Sequence, residues 1–391
     1  MKHQCDAFVV NTVNMRDYSC ANMYTQIAYG HHGQSVAPCC MFKGKARLPT
    51  VDEIDPLNHE TFRAMRDLGR SGIRIPECEF CWQLEDAGVQ SDRQYRNAKN
   101  PNLNDVILNR LDWFMGNLCN FTCIMCSSHQ SYKLKAIEEK LGIHRQTRLV
   151  DNDFGDLPYD ISSLRWIRFI GGEPFLQQDK MIDALTKIRD AQNGLDELYV
   201  TVNTNGSSLP HSDLLSMFHQ CIGGDIAISI DGVGMCNDYQ RTGAEWHVLL
   251  ENIRDLRAAL QPHWTISLCP TWSIINAHHV IDYCQWVADT FPEMTIGGQL
   301  VNQPSWYACH NLPRLYKEML IDNINDTISN TQRVDFLRTL KLVRSALLLP
   351  ASISLAEMVR HLDANDAVRN QSFRNIFPEL WQHISSEMAT S

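Results

Sequence analysis

The chain has 391 residues, of which 44% are apolar and 20% charged, so it is a folded globular protein and not a disordered one. Its net charge of −10 tells against tracking of extended duplex nucleic acid, and no apolar run approaches membrane-spanning length. Fourteen cysteines in a long chain whose first residues, Met-Lys-His-Gln-Cys-Asp-Ala, carry no apolar signal region point to metal binding in a reducing cytoplasm, not to a disulfide scaffold.

Residues 1–100 hold Cys20, Cys39, Cys40, Cys78 and Cys81, with Gly33 between the first and the adjacent pair. Cys39 and Cys40 lie in Ala-Pro-Cys-Cys-Met-Phe; Cys78 and Cys81 lie in Pro-Glu-Cys-Glu-Phe-Cys-Trp. Two such halves can meet to supply four thiolates, either to structural zinc or to an iron–sulfur cluster, and spacing does not choose between them. Cys5 stands alone. The polar stretch 91–104, with Asn-Pro-Asn, reads as a linker.

A strand is predicted over 111–117, followed by Cys119-Asn-Phe-Thr-Cys123-Ile-Met-Cys126. Three thiolates on one short loop can hold three corners of a four-iron, four-sulfur cube and leave one iron open. A zinc site completed by His129 is the competing reading. The next predicted strand, 166–170, exits through Gly171-Gly172-Glu173-Pro174. The glycines permit close backbone approach, the proline fixes the turn, and carbonyls with a carboxylate suit a ligand ammonium.

Further strands are predicted at 198–203, 226–230, 264–270 and 294–301, with helical stripes between them: Met181, Ile182, Leu185 and Ile188, then Trp246, Leu249, Leu250, Ile253 and Leu256. Strand–helix alternation predicts a parallel sheet with right-handed crossovers, and sites in such sheets gather at the carboxyl ends of the strands. Beyond 310 the chain reads as helical: Leu337, Leu340, Val343 and Leu347 form one stripe, and Ile353, Leu355, Met358, Val359 and Leu362 another, interrupted by Pro350 and Pro378. This tail would cover the open end of the sheet or mediate dimerisation. Cys269 and Cys284 read as core, Cys236 and Cys309 lie nearer strand exits, and His31-His32 and His278-His279 read as surface or packing residues.

Taken together, the motifs resemble those of the radical S-adenosylmethionine (SAM) superfamily. Cys119, Cys123 and Cys126 match its three-cysteine motif and Gly171 to Pro174 its Gly-Gly-Glu-Pro motif; Thr204-Asn205-Gly206, Ser229-Ile230-Asp231-Gly232, Arg241 and Asn276 follow in order. Met125 departs from the pattern, since many members carry an aromatic where this residue would pack near the adenine. The N-terminal cysteines resemble a twitch or SPASM-type auxiliary module placed before the barrel, an arrangement often seen in bacteriophage genomes.

The resemblance implies a partial (β/α)6 TIM-like barrel over 105–310, an auxiliary module over 1–100 and a helical region over 311–391. It implies a SAM-binding 4Fe-4S cluster on Cys119, Cys123 and Cys126. Gly171, Gly172 and Glu173 would receive the SAM ammonium, Ser229 and Asp231 would face the ribose region and Arg241 the carboxylate, with Met125, Pro174 and Asn205 also in the cofactor site. A second cluster would sit on Cys20, Cys39 or Cys40, Cys78 and Cys81, the Pro-Cys context favouring Cys39. The activity implied is reductive cleavage of SAM to a 5′-deoxyadenosyl radical that takes a carbon-bound hydrogen, with electrons from a reductant such as flavodoxin or ferredoxin. The substrate expected is a peptide or amino-acid-derived group. The alternatives are an amino-acid-substituted base of phage DNA or, in a different class, a non-catalytic metal-binding protein.

Overall fold

A computed structural model describes residues 18–390 except 31–34, 44–47, 51, 53, 87, 101–102, 158 and 302. Cys5, His31, His32 and Gly33 lie outside the described residues. The strands are β1 (Gln26–Tyr29), β2 (Val36–Ala37), β3 (Arg110–Phe114), β4 (Trp166–Ile170), β5 (Tyr199–Thr204), β6 (Gly223–Ile228), β7 (Trp264–Leu268), β8 (Thr271–Trp272), β9 (Thr295–Ile296) and β10 (Gln299–Leu300).

Among the described residues, β2-β1-β3-β4-β5-β6-β7-β9 form one eight-stranded sheet, parallel at every step except β1–β2. The fold is therefore mixed α/β with a mostly parallel sheet. Segment 294–301, read from sequence as one strand, is two: β9 pairs with β7, and after Gly297-Gly298 the chain changes partner and β10 pairs with β8.

One face of the sheet is apolar. Leu111 and Trp113 of β3, Ile167 and Phe169 of β4, Val200 and Val202 of β5, Ile226 and Ile228 of β6, and Ile266 and Leu268 of β7 join a single core. Helices Gln178–Gln192 and Trp246–Ala259 cover it, burying Met181, Leu185 and Ile188 from the first and Leu249, Ile253 and Leu256 from the second. Each fully buried aliphatic or aromatic side chain is worth about 1.5–3 kcal/mol of transfer free energy, which fixes the face that turns inward. The opposite face carries Arg110, Asp112, Arg168, Thr201, Asp225 and Ser267.

The N-terminal region extends this sheet. β1 runs parallel to β3 in the register Ile27↔Leu111 and Tyr29↔Trp113, and Gln26 Nε2 donates to Asp112 Oδ2 at 2.8 Å. Helix Asp92–Lys99 follows a capping box between Ser91 and Gln94. A buried ion pair joins Arg93 to Glu85 at 2.6 Å, while Arg93 Nη1 also donates to Ser19 O at 3.0 Å. The polar stretch 91–104 thus contains a helix that is packed in place.

After residue 311 come helices Arg314–Asn330, Val334–Leu347, Leu355–Arg369 and Pro378–Thr390. Leu340, Val343 and Leu347 are buried, as are Met358, Val359 and Leu362. Pro350 falls between two helices, whereas Pro378 opens the last one, where a missing N–H costs nothing. Among the described residues no helix is long and apolar enough to cross a membrane.

Candidate active site

The three-cysteine loop begins where β3 ends. Gly116 turns the chain with φ of +146°, and a Cβ there would stand 2.3 Å from Val150 O. Asn117 then clamps the loop. Its amide donates to Ser128 O (3.2 Å) and Arg148 O (2.9 Å), and its Oδ1 accepts from Val150 N (2.8 Å). Inside the loop, Thr122 N donates to Thr242 O at 2.9 Å and Ile124 N to Gln240 O at 2.8 Å. The loop is thereby seated along the segment that carries Arg241.

Cys123 is buried and Cys119 and Cys126 are partly so. Burial pushes Cys123 up to about 11 and Cys126 up to about 12, and raises Cys119 as well. A bound cation reverses that preference, because a coordinating thiol is held deprotonated. Among the described residues no three Cys, His, Asp or Glu side chains converge closely enough to share one metal ion, and His129 is exposed. Three thiolates on one loop are a donor set that a cubane can use, each thiolate taking a different iron.

The Gly-Gly-Glu exit of β4 packs against this loop through its backbone. Gly172 N donates to Gly116 O (2.7 Å) and Glu173 N to Leu118 O (2.8 Å). A Cβ on Gly171 would lie 2.5 Å from Gly116 O, and one on Gly172 would lie 2.0 Å from Leu118 O. The close approach that requires these glycines is to the cysteine loop itself.

Glu173 is fully buried. Its Oε1 accepts from Thr204 Oγ1 (2.7 Å) and Phe175 N (3.1 Å), and its Oε2 from Asn205 N (2.6 Å). Burial raises this carboxyl to about 7 in spite of the three donors. Asn205 bridges onward: its Nδ2 lies 2.8 Å from Asn120 Oδ1 and 3.9 Å from Cys119 Sγ. Pro174 is buried at the start of a short turn, and Met125 packs at the margin of the core.

Asp231 follows β6 and is fully buried. Its Oδ1 accepts from Thr271 N at 2.7 Å, and its Oδ2 lies 2.8 Å from Arg241 Nε in an ion pair. Burial opposes the Arg241 charge, but Asp231 and the neighbouring thiols outweigh it and hold the guanidinium above its ordinary value. Arg241 Nη1 points to Cys123 Sγ at 3.9 Å. Asn276 donates to Asp231 O (2.9 Å) and Thr271 O (3.1 Å), bracing the turn. Ser229 N donates to Thr204 O at 2.9 Å with the residue half-buried. The structure therefore brings Cys119, Cys123, Glu173, Asn205, Asp231 and Arg241 into one connected network at the carboxyl ends of the parallel strands.

A second site lies in the N-terminal region. Cys20, Cys39, Cys78 and Cys81 line one cavity, together with Pro38, Met41, Phe42 and Phe80. Burial raises all four thiols, Cys20 to about 12. Cys40 does not line this cavity. Its thiol faces the sheet, 3.8 Å from Arg168 Nη1.

Sequence reasoning missed the residues that the tail adds. Arg369 Nη1 donates to Thr122 O at 2.7 Å, between Cys119 and Cys123. Tyr239 OH donates to Asp366 Oδ1 at 2.9 Å, and Gln371 Nε2 to Tyr239 O at 3.3 Å. No local pattern around Arg369 announces this, because its partner lies 247 residues earlier. Asn120 bears the same kind of hidden role within the loop. Cys284 and Cys309 are buried, while Cys269 is only partly buried and sits 3.8 Å from Ser267 Oγ on the polar face of the sheet.

No protein-family model matches the sequence, and a search of curated proteins gives no match. Solved structures with partial likeness include native anSMEcpe with bound AdoMet, at 15% identity and a TM-score of 0.42, covering 60% of this chain and 63% of that one. Streptococcus suis SuiB bound to S-adenosylmethionine matches at 10% identity and a TM-score of 0.36, covering 64% of this chain and 49% of that one. SuiB bound to the precursor peptide SuiA matches at 9% identity and a TM-score of 0.36, covering 72% of this chain and 56% of that one. The chain spans less than two thirds of the length of each.

Proposed function

We propose that this chain is a radical SAM enzyme that acts on a peptide or amino-acid-derived group. The observation that carries the reading is the junction of the cysteine loop with Glu173, Asn205 and the Asp231–Arg241 pair, all at one end of a parallel sheet. The sheet is read as a partial barrel with its open end at these loops. Cys119, Cys123 and Cys126 would hold the cluster, which when bound supplies the electron that cleaves SAM to a 5′-deoxyadenosyl radical.

The chain's own groups bind, orient and exclude water. The Gly171–Glu173 edge would offer carbonyls to the SAM ammonium, with Glu173 fixing the edge to Asn205 and Phe175. Asp231 holds Arg241 so that its remaining N–H groups serve the carboxylate. Ser229 would reach the ribose region, and Met125 would pack near the adenine. Arg369 ties the tail to the loop at Thr122 O, where the tail would help to limit solvent access. Cys20, Cys39, Cys78 and Cys81 would hold a second cluster, placed to pass electrons to or from the substrate. A small flavoprotein or ferredoxin in the cytoplasm would serve as reductant.

The test is anaerobic reconstitution with iron and sulfide, followed by SAM and dithionite. Wild-type protein should release 5′-deoxyadenosine, and Cys123→Ala should not. Iron-loaded protein that leaves SAM intact, or Mössbauer spectra without a cubane at the trio, would refute the reading.

A further inference from the structure

The polar face of the sheet carries charge where a sheet packed on both faces carries Val and Ile. Register sets Asp112, Arg168, Thr201, Asp225 and Thr265 side by side on β3, β4, β5, β6 and β7. At one end of this rung, Asp112 serves two guanidiniums: Arg110 Nε lies 3.3 Å away and Arg168 Nη1 3.9 Å away. Asp92 acts on the same two guanidiniums but pairs with Arg96 at 3.1 Å, so three guanidiniums face two carboxylates and one positive charge is left over. Two strands along from Arg168, Asp225 accepts from Thr265 Oγ1 (2.8 Å) and Ser267 Oγ (2.7 Å); among the described residues no cation lies within ion-pair distance of it, and the Arg168 charge acts on it only from across the rung.

A single positive and a single negative charge thus share one rung, with Cα atoms about 10 Å apart at ordinary strand spacing. Unpaired polar atoms lie beside them. Arg168 Nε, Arg110 Nη1 and, one rung nearer the cysteine loop, Asn203 Oδ1 are buried without a hydrogen-bond partner. Arg110 lies one rung farther from the cysteine loop and stacks on Trp166, so the atom left open on the rung itself is Arg168 Nε; native proteins pair nearly all such atoms, and a ligand on this rung would complete the pairing. Arg168 keeps 23% of its side chain exposed, enough to be reached.

We propose that this rung anchors an amino-acid zwitterion, with Arg168 receiving the carboxylate and Asp225 the protonated amine. A simple anion such as phosphate would satisfy Arg168 but meet Asp225, and a simple cation would meet Arg110 and Arg168. Burial lifts the Asp225 carboxyl above its ordinary range despite its two hydroxyl donors, and a bound ammonium would draw it back. The inference rests on the radical SAM reading and deepens it. The rung lies on the strands that end in the cysteine and Gly-Gly loops, four residues or about 13 Å below Gly172. The zwitterion would be a free amino acid or an amino-acid unit of a larger substrate that keeps both charged groups.

The experiment is calorimetric or saturation-transfer titration of the full-length protein with alanine, with its half-molecules propionate and ethylamine, with alanylalanine and with inorganic phosphate. Wild-type protein should bind alanine at least about tenfold more tightly than either half-molecule or phosphate. Arg168→Gln and Asp225→Asn should each weaken alanine binding by about tenfold or more. Weaker binding of alanylalanine, whose charges are farther apart, would place both groups on one residue; equal binding would overturn that spacing. Alanine bound no better than propionate or phosphate, not bound at all, or bound equally by both variants would overturn the proposal. If Arg168→Gln fails to fold by thermal melt, Asp225→Asn decides alone, because its amide can still meet Thr265 and Ser267. Binding is read without SAM cleavage, so failure here leaves the 5′-deoxyadenosine test standing, and the reverse also holds.

Discussion

Replacing Gly172 with alanine tests whether the Gly-Gly exit positions the cysteine loop. Gly172 is not among the glycines in the left-handed region, so alanine can adopt its backbone conformation. The insult is the added methyl alone, placed 2.0 Å from Leu118 O and 2.4 Å from its carbonyl carbon. Those are backbone atoms that cannot rotate aside. Relief requires the two segments to part, which breaks the Gly172–Gly116 and Glu173–Leu118 hydrogen bonds. Overpacking costs about 1–3 kcal/mol and each lost hydrogen bond about 0.5–1.5 kcal/mol, together about 2–6 kcal/mol. Leu118 immediately precedes Cys119, so the displacement falls on the trio and spares the N-terminal thiols. The urea midpoint of the apo protein should drop, and anaerobic reconstitution should yield about four irons fewer per chain. A variant with the wild-type midpoint and full iron content would refute the reasoning.

Glu173 gives a pH signature. Its folded value of about 7 exceeds the ordinary 4.5, so the folded state binds this proton more tightly than the unfolded state. The stabilisation is complete below the unfolded value and is lost as pH rises from 4.5 to about 7, by up to about 3 kcal/mol. Urea midpoints of wild-type protein should fall across that window relative to those of Glu173→Gln, which is less stable overall but flatter. Parallel curves would remove Glu173 as the cause. Cys39→Ser should lower reconstituted iron by about four per chain, whereas Cys40→Ser should retain it. Iron assay and electron paramagnetic resonance of the two variants settle the pair, and the opposite pattern would exchange their roles.

The parallel strands are legible in the sequence because buried strands read as short apolar runs between turn residues. The cysteine loop and the Gly-Gly-Glu-Pro exit are legible because their chemistry is compressed into contiguous residues. β1 is not legible: Gln-Ile-Ala-Tyr is a four-residue segment in a cysteine-rich region, and the partner of Gln26 lies 86 residues away. The charged rung is hidden for a related reason. Each strand contributes one polar residue, which alone reads as a solvent-facing position, and only the register lines them up. Cys269 reads as core from its apolar flanks, yet the alternation of β7 continues past its end and turns the thiol to the polar face beside Ser267. The division of labour between Cys39 and Cys40 cannot come from spacing, since the two are adjacent and the turn closed by Phe42 N on Cys39 O, formed only in the folded chain, sends one thiol to the cavity and the other to the sheet.

The contact from Arg369 to Thr122 O has a consequence for how the protein is born. The two residues are 247 positions apart, and ribosomes add about 5–20 residues per second, so the loop emerges roughly 12–50 s before its latch is made. During that interval the loop lacks this latch, so on the proposed reading iron and sulfide would reach its thiols more freely in the nascent chain than in the finished fold.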